Sequence, residues 1–393
     1  MNPAELKLEL ATHGVWPASG RGDLVRASSV TDGIELLLPG DLWASVPLCP
    51  QESDSPYTLL VEGDTHTLAW RGGERVEVRL VPPPEFYRRT TSAGTPMWRI
   101  ARVFGGSLVI SPSTPCSLAL WGAPCSFCAT GTPPTADQPP AIAVAEVVEV
   151  VRAAFAEGAA EFVYFNAGNG SEEDGGIVFL EPYVRAVKRH FDTLVAVQLH
   201  PPRSDGWIDQ TYALGVDALS YSVEIHDAAA LERYCGERVR RIGRERYYEA
   251  LRRAAAIFPS GTVWSDLILG LEAPASTRAG IDELTSIGVL PVLSLPRSSN
   301  GAPATPVTDR AALLAHLFNA VRDARINMGW VRDLSFAITP LEARFFASDD
   351  ARMSVMQSFY RTRVGSLTAR NLSRLRRRLR VRRVGDSFDS SHL

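Results

Sequence analysis

The chain has 393 residues, 45% of them hydrophobic and 22% charged, with a net charge of -3. That length allows two or three domains, and the near balance of charge excludes the strongly basic surface of a general nucleic-acid binder. No stretch approaches the ~18 to 20 apolar residues of a membrane helix. The opening MNPAELKLELATHG also lacks a basic start followed by an unbroken apolar run, so a cytoplasmic protein is expected.

Residues 1–95 read as a β-rich domain. GIELLLPG, YTLLVEGD, HTLAWRGG and RVEVRLVPPP are short apolar runs broken by Gly, Pro and Asp. Pro82, Pro83 and Pro84 end that domain, and FYRRTTSAGTPMWRIARVFGG connects it to the next. From Ser107 strand and helix patterns alternate. The expected strands are SLVISPST, EFVYFNAG, TLVAVQLH, ALSYSVEI, TVWSDLILGLE and VLPVLSLP. Between and after them run helical patterns, from AIAVAEVVEVVRAAFAEG to TDRAALLAHLFNAVRDAR. Six such units predict an α/β fold, a partial (βα)6 TIM-like barrel over residues 96–328. Residues 329–393 form a C-terminal extension ending in RNLSRLRRRLRVRR. That arginine-rich tail reads as a solvated segment, with docking to RNA or an acidic partner as the sharper alternative.

The five cysteines are too few and too unevenly spaced for a disulfide framework. Cys116, Cys125 and Cys128 instead cluster in SPSTPCSLALWGAPCSFCATG, with the spacing C-x8-C-x2-C. Three thiolates hold three irons of a cubane cluster and leave the fourth iron open. A zinc site with histidine as fourth ligand is the alternative, in a non-catalytic binding protein on a barrel scaffold. The loop follows the first strand of the series, where the catalytic loops of such barrels lie.

A three-cysteine loop after the first strand of a six-fold βα series, with Phe127 before the last cysteine, resembles the radical S-adenosylmethionine superfamily. The resemblance covers residues 100–300 and is greatest to the biotin synthase-like branch. The segments PPPEFYRRTTSAGTP, CSFCATG, YSVEIHD and LILGLE also resemble a family encoded beside nitrilases in bacterial gene clusters. The gap of eight residues departs from the usual three. The resemblance implies a 4Fe-4S cluster on Cys116, Cys125 and Cys128. That cluster would reductively cleave S-adenosylmethionine to a 5'-deoxyadenosyl radical, which abstracts hydrogen from a small-molecule substrate. An electron donor such as flavodoxin or ferredoxin is implied as partner.

The same resemblance assigns cofactor-binding roles. Ser222 and Glu224 match ribose-binding positions, and Arg246 matches the arginine that pairs with the methionine carboxylate, with Arg240, Arg241 and Arg244 as competitors. Gly168 and Asn169 stand where a Gly-Gly-Glu turn binds the methionine amino group. Ile268 and Gly270 match part of G-x-I-x-G-x-x-E, although Glu272 comes one residue early. Strand alternation independently points Ser220, Ser222 and Glu224 to one face, and with them Tyr164, Asn166, Gln198, His200, Trp264 and Asp266. An interior that polar implies a ligand-filled lumen, and Tyr164, Gln198, His200 and Asp266 are the candidate substrate residues.

Other cofactors fit poorly. Only Cys49 and Cys235 remain, too few for a second all-cysteine cluster. No D-x-H-x-x-G motif for cobalamin occurs. Lysine occurs only at Lys7 and Lys188, and Lys188 lies on an outer helix face, which leaves no placed amine for pyridoxal phosphate.

Overall fold

The computed structural model describes residues 2–18, 33–63, 65–70, 73–113, 116–120, 122–128, 141–168, 172–294, 310–328 and 337–347. Helix α1 spans Pro3–His13. The Asn2 side chain accepts from the Ala4 N–H at 3.0 Å, proline fills the first turn, and Gly14 ends the helix at φ 65°. Six strands follow: β1 Trp16–Pro17, β2 Gly33–Leu38, β3 Leu42–Pro47, β4 Tyr57–Glu62, β5 Thr65–Trp70 and β6 Arg75–Val81. They form one sheet in the order β1-β4-β5-β6-β2-β3. In β3 alternate residues Leu42, Ala44 and Val46 are buried, as a strand with one wet face requires. This sheet and α1 share a core that includes Leu6, Leu10, Leu36, Leu59 and Leu68.

The second sheet has eight strands in plain sequence order. They are β7 Ala101–Phe104, β8 Ser107–Ile110, β9 Phe162–Asn166, β10 Val195–Leu199, β11 Ala218–Tyr221, β12 Val263–Ile268, β13 Leu290–Ser294 and β14 Ala337–Ile338. From β8 to β13 every pairing is parallel, while β7 and β14 are antiparallel edges. Six parallel strands in succession curl into an open half-barrel, which matches the six expected βα units.

Helices cover the outside of this sheet. They are α2 Val144–Ala156, α3 Ile177–His190, α4 Gly206–Leu214, α5 Ala228–Arg241, α6 Arg244–Ile257, α7 Pro274–Ser286 and α8 Arg310–Asp323. Several bury one apolar stripe, such as Val147, Val150, Val151 and Ala154 of α2. Each fully buried Val or Leu contributes about 1.5–3 kcal/mol. Helix α5 has no counterpart in the expected pattern and inserts a second helix between β11 and β12. Lys188 of α3 pairs with Asp217, so its amine serves the outer layer.

Residues 337–347 join the two sheets. Strand β14 pairs with β13, and the turn that follows reaches α1. Lys7 Nζ lies 2.7 Å from Glu342 Oε1, with both side chains buried, and Asn2 Nδ2 donates to Phe345 O at 2.8 Å. The arginine-rich stretch lies outside the described residues.

Candidate active site at the barrel mouth

The cysteine loop leaves the C-terminal end of β8. A short helical turn, Ser117–Leu120, follows Cys116, and Ala123 N donates back to Leu118 O at 2.9 Å. Cys116, Cys125 and Cys128 are half-buried free thiols. Cys116 rests on the turn after β9. A Cβ on Gly168 would stand 2.8 Å from Cys116 Cα, so no larger residue fits there without displacing backbone. Asn169 lies outside the described residues.

Cys125 faces α5. Ser126 N donates to Tyr234 O at 3.1 Å, which sets Cys125 beside Cys235. Cys235 is buried at a kink in α5, with φ -140° and ψ 33°. The hydrogen bond with Cys235 and then burial push the Cys125 thiol upward, while Arg238 opposes the shift. Phe127, Ile225, Leu231, Ile268 and Leu271 complete this apolar cluster around the two thiols. Phe127 and Ile268, separate in sequence, therefore meet beside Cys125. Among the described residues no three His, Cys, Asp or Glu side chains are gathered as a metal-ligating group. The structure thus puts three cysteines on one loop, with Cys116 against Gly168 and Cys125 against Cys235.

The lumen carries a continuous polar chain across four strands. Tyr164 Oη donates to Gln198 Oε1 at 2.6 Å, and Gln198 Nε2 donates to Ser222 Oγ at 2.6 Å. Ser222 Oγ donates to Asp266 Oδ2 at 2.8 Å and lies 3.2 Å from Ser220 Oγ. Alternation along β9 to β12 accounts for this meeting, because each residue faces inward from its own strand. Burial raises the Asp266 carboxyl to about 6, with the Ser222 hydrogen bond opposing and the Glu224 charge reinforcing the shift. Below this chain the rings of Tyr164 and Trp264 lie 5.9 Å apart in an apolar floor with Phe162, Leu194, Ala196 and Ala218.

At the mouth β11 ends in a strained turn. Glu224 has φ 67°, and Ile225 N donates to Val223 O across it at 2.8 Å. An i→i+2 bond around a left-handed residue is the rare form of the γ-turn, and such strain costs on the order of 1–3 kcal/mol. The turn is held from both sides. Glu224 N donates to Asp266 O and Ile268 N to Glu224 O, each at 2.8 Å. Arg238 of α5 donates to the Glu224 carboxylate and, at 2.9 Å, to Val223 O. The Arg238 side chain is 4% exposed, and its guanidinium lies 5.1 Å from the Tyr247 ring centroid. Tyr247 Oη in turn lies 2.6 Å from His200 Nδ1. Burial, then the Arg238 charge, lower His200 to about 3, so its imidazole is neutral at physiological pH.

Arg246 lies at the start of α6. Its guanidinium donates to Pro202 O at 2.8 Å and to Asp205 Oδ1 at 2.7 Å, tying α6 to the loop after β10. Arg240 and Arg241 form exposed pairs with Glu237, and Arg244 donates to His226 O. The guanidinium that reaches the Glu224 carboxylate is that of Arg238, which sequence reasoning missed. One signal was present: Arg238 stands three residues after Cys235, hence on the same helix face. Glu272, displaced by one residue from the expected motif, accepts from His226 N and Asp227 N and so anchors the segment that leads into α5.

No protein-family model matches the chain. No curated protein matches it in sequence. Among solved structures, the chain is similar to methylornithine synthase (PylB), at 12% identity and TM-score 0.44, over 56% of this chain and 63% of that one. It is also similar to the FeFe-hydrogenase maturase HydG from Carboxydothermus hydrogenoformans, at 15% identity and TM-score 0.41, over 51% and 48% of the two chains. A radical SAM methyltransferase from Sphaerobacter thermophilus matches at 18% identity and TM-score 0.39, over 69% and 75%. The chain thus spans less than two thirds of the first two of these structures.

Proposed function

We propose that this chain is a radical S-adenosylmethionine enzyme acting on a small molecule. One observation carries the reading: a three-cysteine loop stands at the C-terminal end of the first parallel strand of an open six-unit barrel with a polar lumen. The donor set fits a 4Fe-4S cluster in its chemistry, on a loop at the C-terminal end of a barrel strand. Three soft thiols share one loop, and an apolar cluster around Cys125 keeps water from that side. Cys116, Cys125 and Cys128 would hold the cluster. When bound, the reduced cluster supplies the electron that cleaves S-adenosylmethionine to methionine and a 5'-deoxyadenosyl radical.

The chain's own residues would bind and orient that cofactor. Glu224 and Ser222 offer acceptors to ribose hydroxyls, and Gly168 with Asn169 offers backbone carbonyls to an amino group. Phe127 and Ile268 form an apolar surface for a flat base. Arg246 would pair with the methionine carboxylate, and the buried guanidinium of Arg238 holds the Glu224 carboxylate in place. Gln198, Tyr164, His200 and Asp266 would hold the substrate deeper in the barrel. Turnover requires an electron donor such as flavodoxin or ferredoxin.

The test is anaerobic reconstitution of the full chain with iron and sulfide. The reading expects about four irons per chain, absorption near 400 nm, and 5'-deoxyadenosine on addition of S-adenosylmethionine and reductant. One tightly bound zinc per chain and no deoxyadenosine would instead support a zinc-stabilised binding protein.

A further inference from the structure

We propose that the lumen takes a substrate bearing a protonated amine, and that Asp266 receives the ammonium group. The inference rests on the lumen being the substrate site of the reading above, and it assigns that substrate a chemical class.

The charges of the lumen carry the argument. At the mouth the Glu224 carboxylate is engaged by Arg238. His200 is neutral. Asp266 takes part in none of the ion pairs among the described residues, and the charge that acts on it is the like charge of Glu224. Its two hydrogen bonds from other residues, from Ser222 and from Gln198 at 3.5 Å, both fall on Oδ2. Oδ1 is left for a ligand, and the residue as a whole is half-buried.

The surroundings select among ligands. Beside Asp266 stand the Ser222 hydroxyl and the Gln198 amide, whose Oε1 accepts from Tyr164, and the Tyr164 and Trp264 rings lie 5.9 Å apart below. A carboxylate with no cationic partner among the described residues, close to two aromatic rings, suits an ammonium. A carboxylate or phosphate ligand would meet two acidic groups. A neutral polyol would satisfy hydrogen bonds and leave the charge unbalanced. The raised carboxyl of Asp266 agrees, since a bound cation would offset the burial that raises it.

The experiment measures binding of two matched probes, 4-aminobutan-1-ol and butane-1,4-diol, to the anaerobically purified full chain by thermal shift and isothermal titration at pH 8. The amine is expected to raise the melting midpoint and bind at least about tenfold more tightly than the diol. Asp266→Asn should weaken the amine about ten- to a hundredfold, the loss typical of one charge-assisted hydrogen bond, and leave the diol unchanged. Equal response to both probes, no response to the amine, or an amine affinity unchanged in Asp266→Asn would overturn the proposal. The contrast between probes needs only the wild-type chain, so it decides the matter even where the variant does not fold. Iron content and absorption of the same preparation report on the cluster separately. Amine binding without a cluster supports this proposal and counts against the radical reading, and a cluster without amine binding does the reverse.

Discussion

Arg238 binds the carboxylate of Glu224 and the carbonyl of Val223 at once, so a single buried guanidinium holds a turn whose central residue is left-handed. The turn orders three things together: the end of β11, the position of the Glu224 carboxylate and the packing of α5 against the cysteine loop. Removing the guanidinium leaves a largely buried carboxylate without its partner and a strained turn with one support fewer. Breaking a buried pair from one side costs about 3–5 kcal/mol. Glu224 is 22% exposed, so the lower end of that range is expected for Arg238→Met. Urea denaturation of the two proteins checks it.

Glu224 itself should act on the cofactor. Two vicinal hydroxyls donating to one carboxylate form charge-assisted bonds, each about 1.5–3 kcal/mol. Glu224→Ala is expected to weaken S-adenosylmethionine binding about ten- to a hundredfold, and Glu224→Gln less, because the amide oxygen still accepts. Anaerobic titration of the reconstituted protein measures this. Unchanged affinity in the alanine variant would take Glu224 out of the cofactor site and leave it the role of fixing the turn.

The cysteines separate by position. Cys116→Ala, Cys125→Ala and Cys128→Ala should each lose iron on reconstitution, whereas Cys49→Ala should keep it. Cys235 is the informative case, because it is buried against Cys125. If three thiols suffice, Cys235→Ala keeps its iron and its absorption near 400 nm. Loss of iron in that variant would make Cys235 a ligand and revise the set.

The six βα units were legible because each strand is a short apolar run and each outer helix buries an apolar stripe, as Leu180, Val184 and Val187 do in α3. The inward chain Tyr164, Gln198, Ser222, Asp266 was legible from strand alternation alone. Helix α5 was not. Its sequence AAALERYCGERVRR holds four arginines, and its buried face is Leu231, Cys235 and Arg238. A periodicity of apolar residues cannot report a face whose buried member is a guanidinium. The pairing of Cys125 with Cys235 depends on that helix and stayed hidden with it. Helix α1 was hidden for another reason. Its markers, Asn2, Pro3 and Gly14, are present, but its apolar positions are interleaved with charge, and one of its buried residues is Lys7.

Asp266 gives the fold a pH dependence of defined sign. Its ordinary carboxyl value is 3.8, and in the folded chain it is raised to about 6. Between those values the folded protein keeps a proton that the unfolded chain has released. The stabilisation from this group is therefore complete below about pH 4, falls as pH rises to about 6, and is lost above it. Asp266→Asn lacks this dependence. The stability of the variant relative to the wild type should thus rise from pH 4 to pH 6 and level off beyond it. Urea midpoints across that range measure the difference, and a flat difference would show that Asp266 ionises normally in the folded state.

A buried ion pair fastens the C-terminal segment to the first helix. Lys7 and Glu342 are 3% and 2% exposed and lie 335 residues apart, so their pair joins α1 to the turn after β14 across the two sheets. Glu342 also accepts from Thr339 N at 2.9 Å, which helps to fix its carboxylate. Beside them Leu341 and Ala343 are buried, and Phe345 and Phe346 pack on the core of the first sheet. Glu342→Gln keeps the shape and removes the charge, leaving the buried Lys7 ammonium without this carboxylate, at a cost of about 3–5 kcal/mol. The double change Lys7→Met with Glu342→Leu removes both charges, and it should recover most of that loss, because two apolar groups can fill the same space. Truncation after residue 336 should destabilise more than either, since it removes the pair, the β14 pairing and the two phenylalanines together. Truncation from Arg370 onward removes none of these contacts and should leave the melting temperature within a few degrees of the full chain. A large loss of stability in that shorter truncation would mean that the arginine-rich stretch packs against the folded body.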